Sequence, residues 1–218
     1  MPHKTKSLAA ADEIRRRIVA GKYLPGRKLS QDNLAIELGM SRMPIRDALV
    51  LLEAEGLVRN SPHRGATVAQ LSSDEMEELF GMRALLEPFL LRRSAPRFTD
   101  GDLSDLNGML EEQSAFLAAF EPISWNAMDA KFHLKLYSRA KSSRIFYAVT
   151  ALIQECDRNT RFLIADDKEH HDRAVMEHVE LLRLCQFQAY DAAAEMMKVH
   201  VERTGANVVS LLTHQNHC

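Results

Sequence analysis

Asp129 and His133 stand four residues apart in WNAMDAKFHLKLYSRA, a stretch of helical periodicity. That spacing puts a carboxylate and an imidazole on one helix face. Two more histidines sit in helical stretches, His178 in MEHVELLRL and His200 in MMKVHVERT. The segment between them, CQFQAYDA, breaks the pattern. Antiparallel helices joined there bring both imidazoles to similar height, because His178 lies seven residues before Cys185 and His200 ten after Tyr190. One carboxylate and three imidazoles from three helices make a divalent metal site. The competing reading is that each is an ordinary buried or surface histidine, since the chain has nine.

Other residue types suggest other chemistry. Arg83 and Glu87 in FGMRALLEPFL are four apart, which by itself describes an ion pair worth roughly 0.2–0.5 kcal/mol. Pro88 follows, where a helix former would be expected, and could kink that helix. His170 and His171, beside Glu169 and Asp172, read as solvated. Arg42 and Arg46 share the face of a helix at its N-terminal end.

Residues 1–7 are expected to be disordered, a helix to run from about Ser7 to Ala20, and residues 23–28 to form a turn. The elements that position the arginines are readable in LSQDNLAIELGMSRMPIRDALVLLEAEGLV, residues 29–58. Ser30 caps a first helix, whose apolar face is Leu34, Ala35 and Leu38. Gly39 ends it. Ser41 is a second N-cap, with Pro44 in the first turn that follows. Ile45, Leu49 and Leu52 form the buried face of this second helix. The pair has the helix-turn-helix arrangement, in which the second helix can read DNA, although two amphipathic helices around a Gly turn also occur in many other helical proteins and two exposed arginines are usually a solvated face. Val58-Arg59 and Ala66-Thr67-Val68-Ala69 are β-prone runs around Asn60-Ser61-Pro62-His63-Arg64-Gly65, a hairpin wing with Arg64 at its tip.

The winged-helix segment, with HRGATV after it, resembles the DNA-binding domain of the GntR transcriptional regulators. Gln31 departs from the Glu that many members carry, but it lies off the reading helix. From residue 74 onward the pattern is helical, with helices expected at about 74–95, 101–118, 124–139, 142–165, 169–186 and 189–213. This second module resembles the FCD effector domain of the FadR branch. The resemblance implies that Asp129, His133, His178 and His200 hold a metal, and that Arg83 clamps the carboxylate of a small effector. A guanidinium suits that bidentate role. Arg158 and Asn159 are further candidates for the cavity wall. The His-rich set favours zinc, with nickel or manganese as alternatives.

Composition agrees with two modules. Residues 1–72 carry 12 Lys/Arg and 7 Asp/Glu, a net of +5; residues 73–218 carry 16 and 23, a net of −7. A basic N-terminal part fits a nucleic-acid module. Three cysteines without metal-finger spacing argue against a disulfide framework. No apolar run is long enough to span a membrane, and the start lacks a signal-peptide core, so a cytoplasmic location is expected. The expected fold is mostly α: a winged helix-turn-helix in residues 1–72, then a bundle of about six helices in residues 73–218 that binds effector and dimerises. The expected function is ligand-responsive transcriptional regulation. A homodimer would act on a pseudo-palindromic operator and sense a small carboxylate in a metal-containing pocket. The rivals are a helical-domain metalloenzyme acting on a small acid, and a regulator whose metal is purely structural.

Overall fold

The computed structural model describes residues 3–61 and 65–215. They fall into two compact units, residues 1–70 and 71–218.

The first unit opens with α1 (His3–Val19). This helix starts before Ser7, where the sequence suggests a disordered start; no Gly or Pro interrupts His3–Val19. Next come β1 (Lys28–Leu29), α2 (Gln31–Leu38) and α3 (Arg42–Ala54). The strands β2 (Val58–Ser61) and β3 (Gly65–Val68) follow. Ser30 accepts from the Asn33 N–H, and Gly39 takes the left-handed conformation at φ 63°, which closes α2. Ser41 is the N-cap of α3 but makes no side-chain capping bond.

The three strands form one antiparallel sheet in the order β1-β3-β2. In it Lys28 pairs with Thr67, and Val58 with Val68. The sequence presents residues 23–28 as a turn only, because a two-residue strand is too short to show alternation. Ile14, Ile18, Tyr23, Ile45, Leu49, Leu52 and Val68 form the apolar core.

The second unit is a helical bundle: α4 (Ser73–Ser94), α5 (Asp100–Ala118), α6 (Pro122–Tyr137), α7 (Ser143–Thr160), α8 (Lys168–Gln186) and α9 (Tyr190–Gln215). A reciprocal capping box starts α4: Glu75 N–H donates to Ser72 Oγ, and Ser72 N–H donates to the Glu75 carboxylate. Helix α4 contains Pro88 and spans the stretch expected from the sequence. It packs along α9, where Gly205 permits the approach; a Cβ on Gly205 would lie 2.7 Å from Phe80. Helix α7 stops at Thr160, five residues short of the expected end, in a run of turns over residues 161–166. Leu90, Leu91, Leu106, Phe132, Leu136, Leu181 and Val208 are core residues of this unit. Among the described residues no helix is long and apolar enough to cross a membrane.

Candidate metal and effector site

Three imidazoles meet in the core of the helical unit. His133 on α6, His178 on α8 and His200 on α9 are all buried, and a potential ligand nitrogen of each lies within 4.8 Å of the others. Each ring is held from behind through Nδ1. His133 Nδ1 donates to Glu87 Oε2 at 2.9 Å, His178 Nδ1 to Gln113 Oε1 at 3.1 Å, and His200 Nδ1 to Glu177 Oε2 at 2.7 Å. A proton on Nδ1 leaves a lone pair on Nε2, so three acceptor nitrogens turn toward one point. Phe132 lies against the His178 ring at 4.6 Å between centroids and restrains its orientation.

The inward nitrogens then lack protein partners. His133 Nε2 is buried with no hydrogen-bond partner among the described residues. His178 Nε2 faces His200 Nε2 at 3.3 Å, lone pair against lone pair. Two nitrogens that share a divalent ion at about 2.0–2.1 Å lie roughly 3–3.4 Å apart. The donor set therefore fits a metal ion. Asp129, one turn before His133, is half-buried. Its carboxylate is 3.5 Å from His178 Nε2 and 4.0 Å from His133 Nε2, too far to hydrogen-bond either ring well. Burial pushes the His178 imidazole well below its ordinary pKa, and the neighbouring His200 and His133 add to the effect. That shift favours the neutral form that ligates.

Glu87 is fully buried. Besides His133, it accepts from Arg83 Nε at 2.5 Å and from the Tyr137 hydroxyl at 2.6 Å. Burial alone would raise its carboxyl pKa, but Arg83 and His133 outweigh burial and keep it ionised. The sequence spacing makes Arg83–Glu87 a surface-type pair. It is instead the buried brace behind His133. Arg83 also points Nη1 at Cys156 Sγ, 3.2 Å away.

A cavity of about 40 Å³ opens beside the histidines. Its walls include Arg83, Trp125, Asp129, His133, His170 and His200. From α7, Ile153, Cys156, Asp157 and Thr160 line it, and Arg158 and Asn159 do not.

His170 and His171 correct the sequence expectation: both are buried, at 3% and 2% exposure. Asp167 caps α8 by accepting from the His170 N–H, and the helix start packs on Trp125. Adjacent acidic residues hide this in the sequence. The better signal is the recurrence of His170, Ala174 and His178 at intervals of four, which places all three on one helix face. Gln113 and Glu177 give no such signal, because their roles depend on tertiary neighbours.

In the first unit, Arg42 and Arg46 are exposed at the start of α3. Arg42 pairs with Asp32 of α2. Glu53 on α3 accepts from the Asn60 backbone N–H at 2.9 Å and side-chain amide at 2.7 Å, which ties β2 to α3. Arg64 lies outside the described residues.

A winged helix followed by an all-helical unit with a histidine-lined cavity is the construction of a ligand-responsive, DNA-binding transcriptional regulator. The family described as bacterial regulatory proteins, gntR family, matches residues 6–68, and the FCD domain matches residues 78–203. The chain belongs to the GntR family of regulators, with an FCD domain as its second unit. It is 24% identical over 196 residues to the Nta operon transcriptional regulator of Aminobacter aminovorans, spanning 89% of this chain and 90% of the relative. It is also 24% identical to the HTH-type transcriptional repressor RspR of Escherichia coli K12, over 89% of this chain and 85% of that one. A GntR transcriptional regulator from Rhodococcus sp. RHA1 shares the fold. Its TM-score is 0.77 at 23% identity, over 94% of this chain and 98% of that structure. The family and these relatives are regulators, not enzymes.

Proposed function

We propose that the helical unit senses a small carboxylic acid at a divalent metal held by Asp129, His133, His178 and His200. The observation that carries this reading is the convergence of the buried imidazoles, each backed at Nδ1 by Glu87, Gln113 or Glu177. Zinc is the first choice from the nitrogen-rich set, then nickel or manganese. When bound, the ion supplies positive charge and open coordination positions for oxygen ligands. Arg83 lines the same cavity. Its Nε and Nη1 are directed at Glu87 and Cys156, so Nη2 is the nitrogen left for an effector carboxylate.

The acid must bind the DNA-competent and DNA-incompetent states unequally in order to regulate. Residues 1–72 bind the operator, with Arg42 and Arg46 reaching bases or phosphates and Arg64 contacting the backbone from the wing. Residues 73–218 bind the effector and dimerise. The regulator acts in the cytoplasm as a homodimer on a pseudo-palindromic site. Met82, Leu85 and Phe89, exposed at 46%, 73% and 41%, form an apolar stripe on α4 suited to burial against a second copy.

The test is operator binding by the full chain, titrated with small acids before and after chelation. Acid-dependent binding that disappears with the metal is the expected result. Identical acid responses with and without chelator would leave the metal a structural part of the fold.

A further inference from the structure

The cavity has a second polar end. Asp129 and His133 continue a series along α6 that begins with Trp125, one turn earlier at each step. His170, Ala174 and His178 make the matching series on α8. Trp125 and His170 therefore lie on the cavity-lining faces of these two helices, beyond Asp129 on the side away from His133. Both line the cavity, and both are nearly inaccessible, at 1% and 3% exposure.

Trp125 Nε1 and His170 Nδ1 have no hydrogen-bond partner among the described residues. Buried nitrogens are nearly always paired, so two orphans in one cavity wall need an explanation. The metal does not provide one: an indole N–H is only a donor and cannot ligate. Neither do the surroundings. His171 packs its ring against Trp125 at 4.5 Å and lines a different pocket, so it braces the indole rather than pairing with it.

We infer that Trp125 and His170 form a hydrogen-bonding subsite that reads a second, uncharged oxygen on the effector. The inference rests on the proposed function, in which the metal and Arg83 take the carboxylate. Trp125 Nε1 donates to that oxygen, and His170 Nδ1 donates or accepts according to its tautomer. The effector is then a short hydroxy- or oxo-acid with one carboxylate.

Charge supports a single carboxylate. Arg83 offsets Glu87, and Arg161 pairs with Asp157. A divalent ion with Asp129 leaves about +1, enough for one carboxylate. Among the described residues that line the Trp125 end, no cation is placed to receive a second one, and an unpaired buried charge is costly. Size points the same way. A cavity of about 40 Å³ suits an acid with a short carbon chain.

The test uses the metal-loaded full chain and a matched pair of probes, propionate and 3-hydroxypropionate. Affinities are read by calorimetry for wild type, Trp125→Phe and His170→Phe. Each variant keeps an aromatic ring, and metal content is measured alongside. Wild type should bind 3-hydroxypropionate about tenfold more tightly than propionate, the scale of one or two net hydrogen bonds. Each variant should reduce that ratio to about threefold or less with metal content unchanged. A ratio preserved in both variants overturns the subsite, because the hydroxyl would then be read by the metal instead. Equal binding of both acids by wild type overturns it as well. Failure of wild type to bind either acid overturns the carboxylate reading beneath it, a result distinct from binding without preference.

Discussion

The two units treat polar side chains in opposite ways. In the first, Ser7 is the one buried polar residue among those described, and the ion pairs lie toward the surface. Arg15 with Glu55 and Arg17 with Glu37 tie helices together over an apolar core. In the second, Arg83, Glu87, Gln113, His133, His170, His171, His178 and His200 are all buried. The proposed function accounts for the contrast. A duplex is too large to enclose, so the residues proposed to read it, Arg42 and Arg46, stay outside. A small acid can be enclosed, so groups proposed to recognise it can lie inside, where a low dielectric strengthens each interaction and penalises each orphan.

The comparison breaks most visibly at Glu87. Glu87→Ala leaves Arg83 buried without its carboxylate, and should cost about 3–5 kcal/mol in the helical unit. Thermal unfolding followed by circular dichroism checks this. A loss under about 1 kcal/mol, the range of surface pairs such as those in the first unit, would remove the contrast.

His178→Ala comes next. It should lower metal affinity by more than about a hundredfold, above the range for residues that only support a ligand. Operator binding should remain measurable, provided circular dichroism shows an intact bundle. A variant that binds metal as wild type does would exclude His178 as a ligand.

A smaller effect is expected behind the ligands. Glu177→Gln keeps an acceptor for His200 Nδ1 but removes the charge, and should weaken metal binding by roughly 10- to 100-fold. Competition with a chromogenic chelator reads this directly. An unchanged constant would show that the carboxylate serves only Arg203, its other partner.

A change of similar size is expected outside. Arg46→Ala or Arg42→Ala should cost about 1–3 kcal/mol in operator binding for each base that the side chain reads. Metal content should not change. An operator affinity equal to wild type in both variants would remove α3 as the reading helix.

The same contrast separates what is legible in the sequence from what is not. The turn between α2 and α3 is legible because Ser30 and Gly39 act through local backbone chemistry. Helices α4 to α9 are legible from their apolar periodicity, as are the paired strands of the wing. Asp129 and His133 are visible as an i, i+4 pair. His178 and His200 need the antiparallel pairing of α8 with α9 and the family resemblance to join them. What stays hidden is tertiary. No local spacing links Glu87 to His133, Gln113 to His178 or Glu177 to His200. The burial of His170 and His171 depends on Trp125, more than forty residues earlier. Strand β1 escapes a sequence reading because its two residues are held by β3 rather than by their own pattern.

In the proposed site the three inward imidazoles and Asp129 surround one metal ion. The most direct measurement is elemental analysis of the purified full chain after dialysis against zinc, beside His133→Ala treated identically. About one ion per wild-type chain, and a small fraction of that in the variant, is the result expected of three imidazoles and one carboxylate around a single ion. Wild-type protein that retains no zinc, nickel or manganese, and whose unfolding temperature does not rise when they are added, would contradict it.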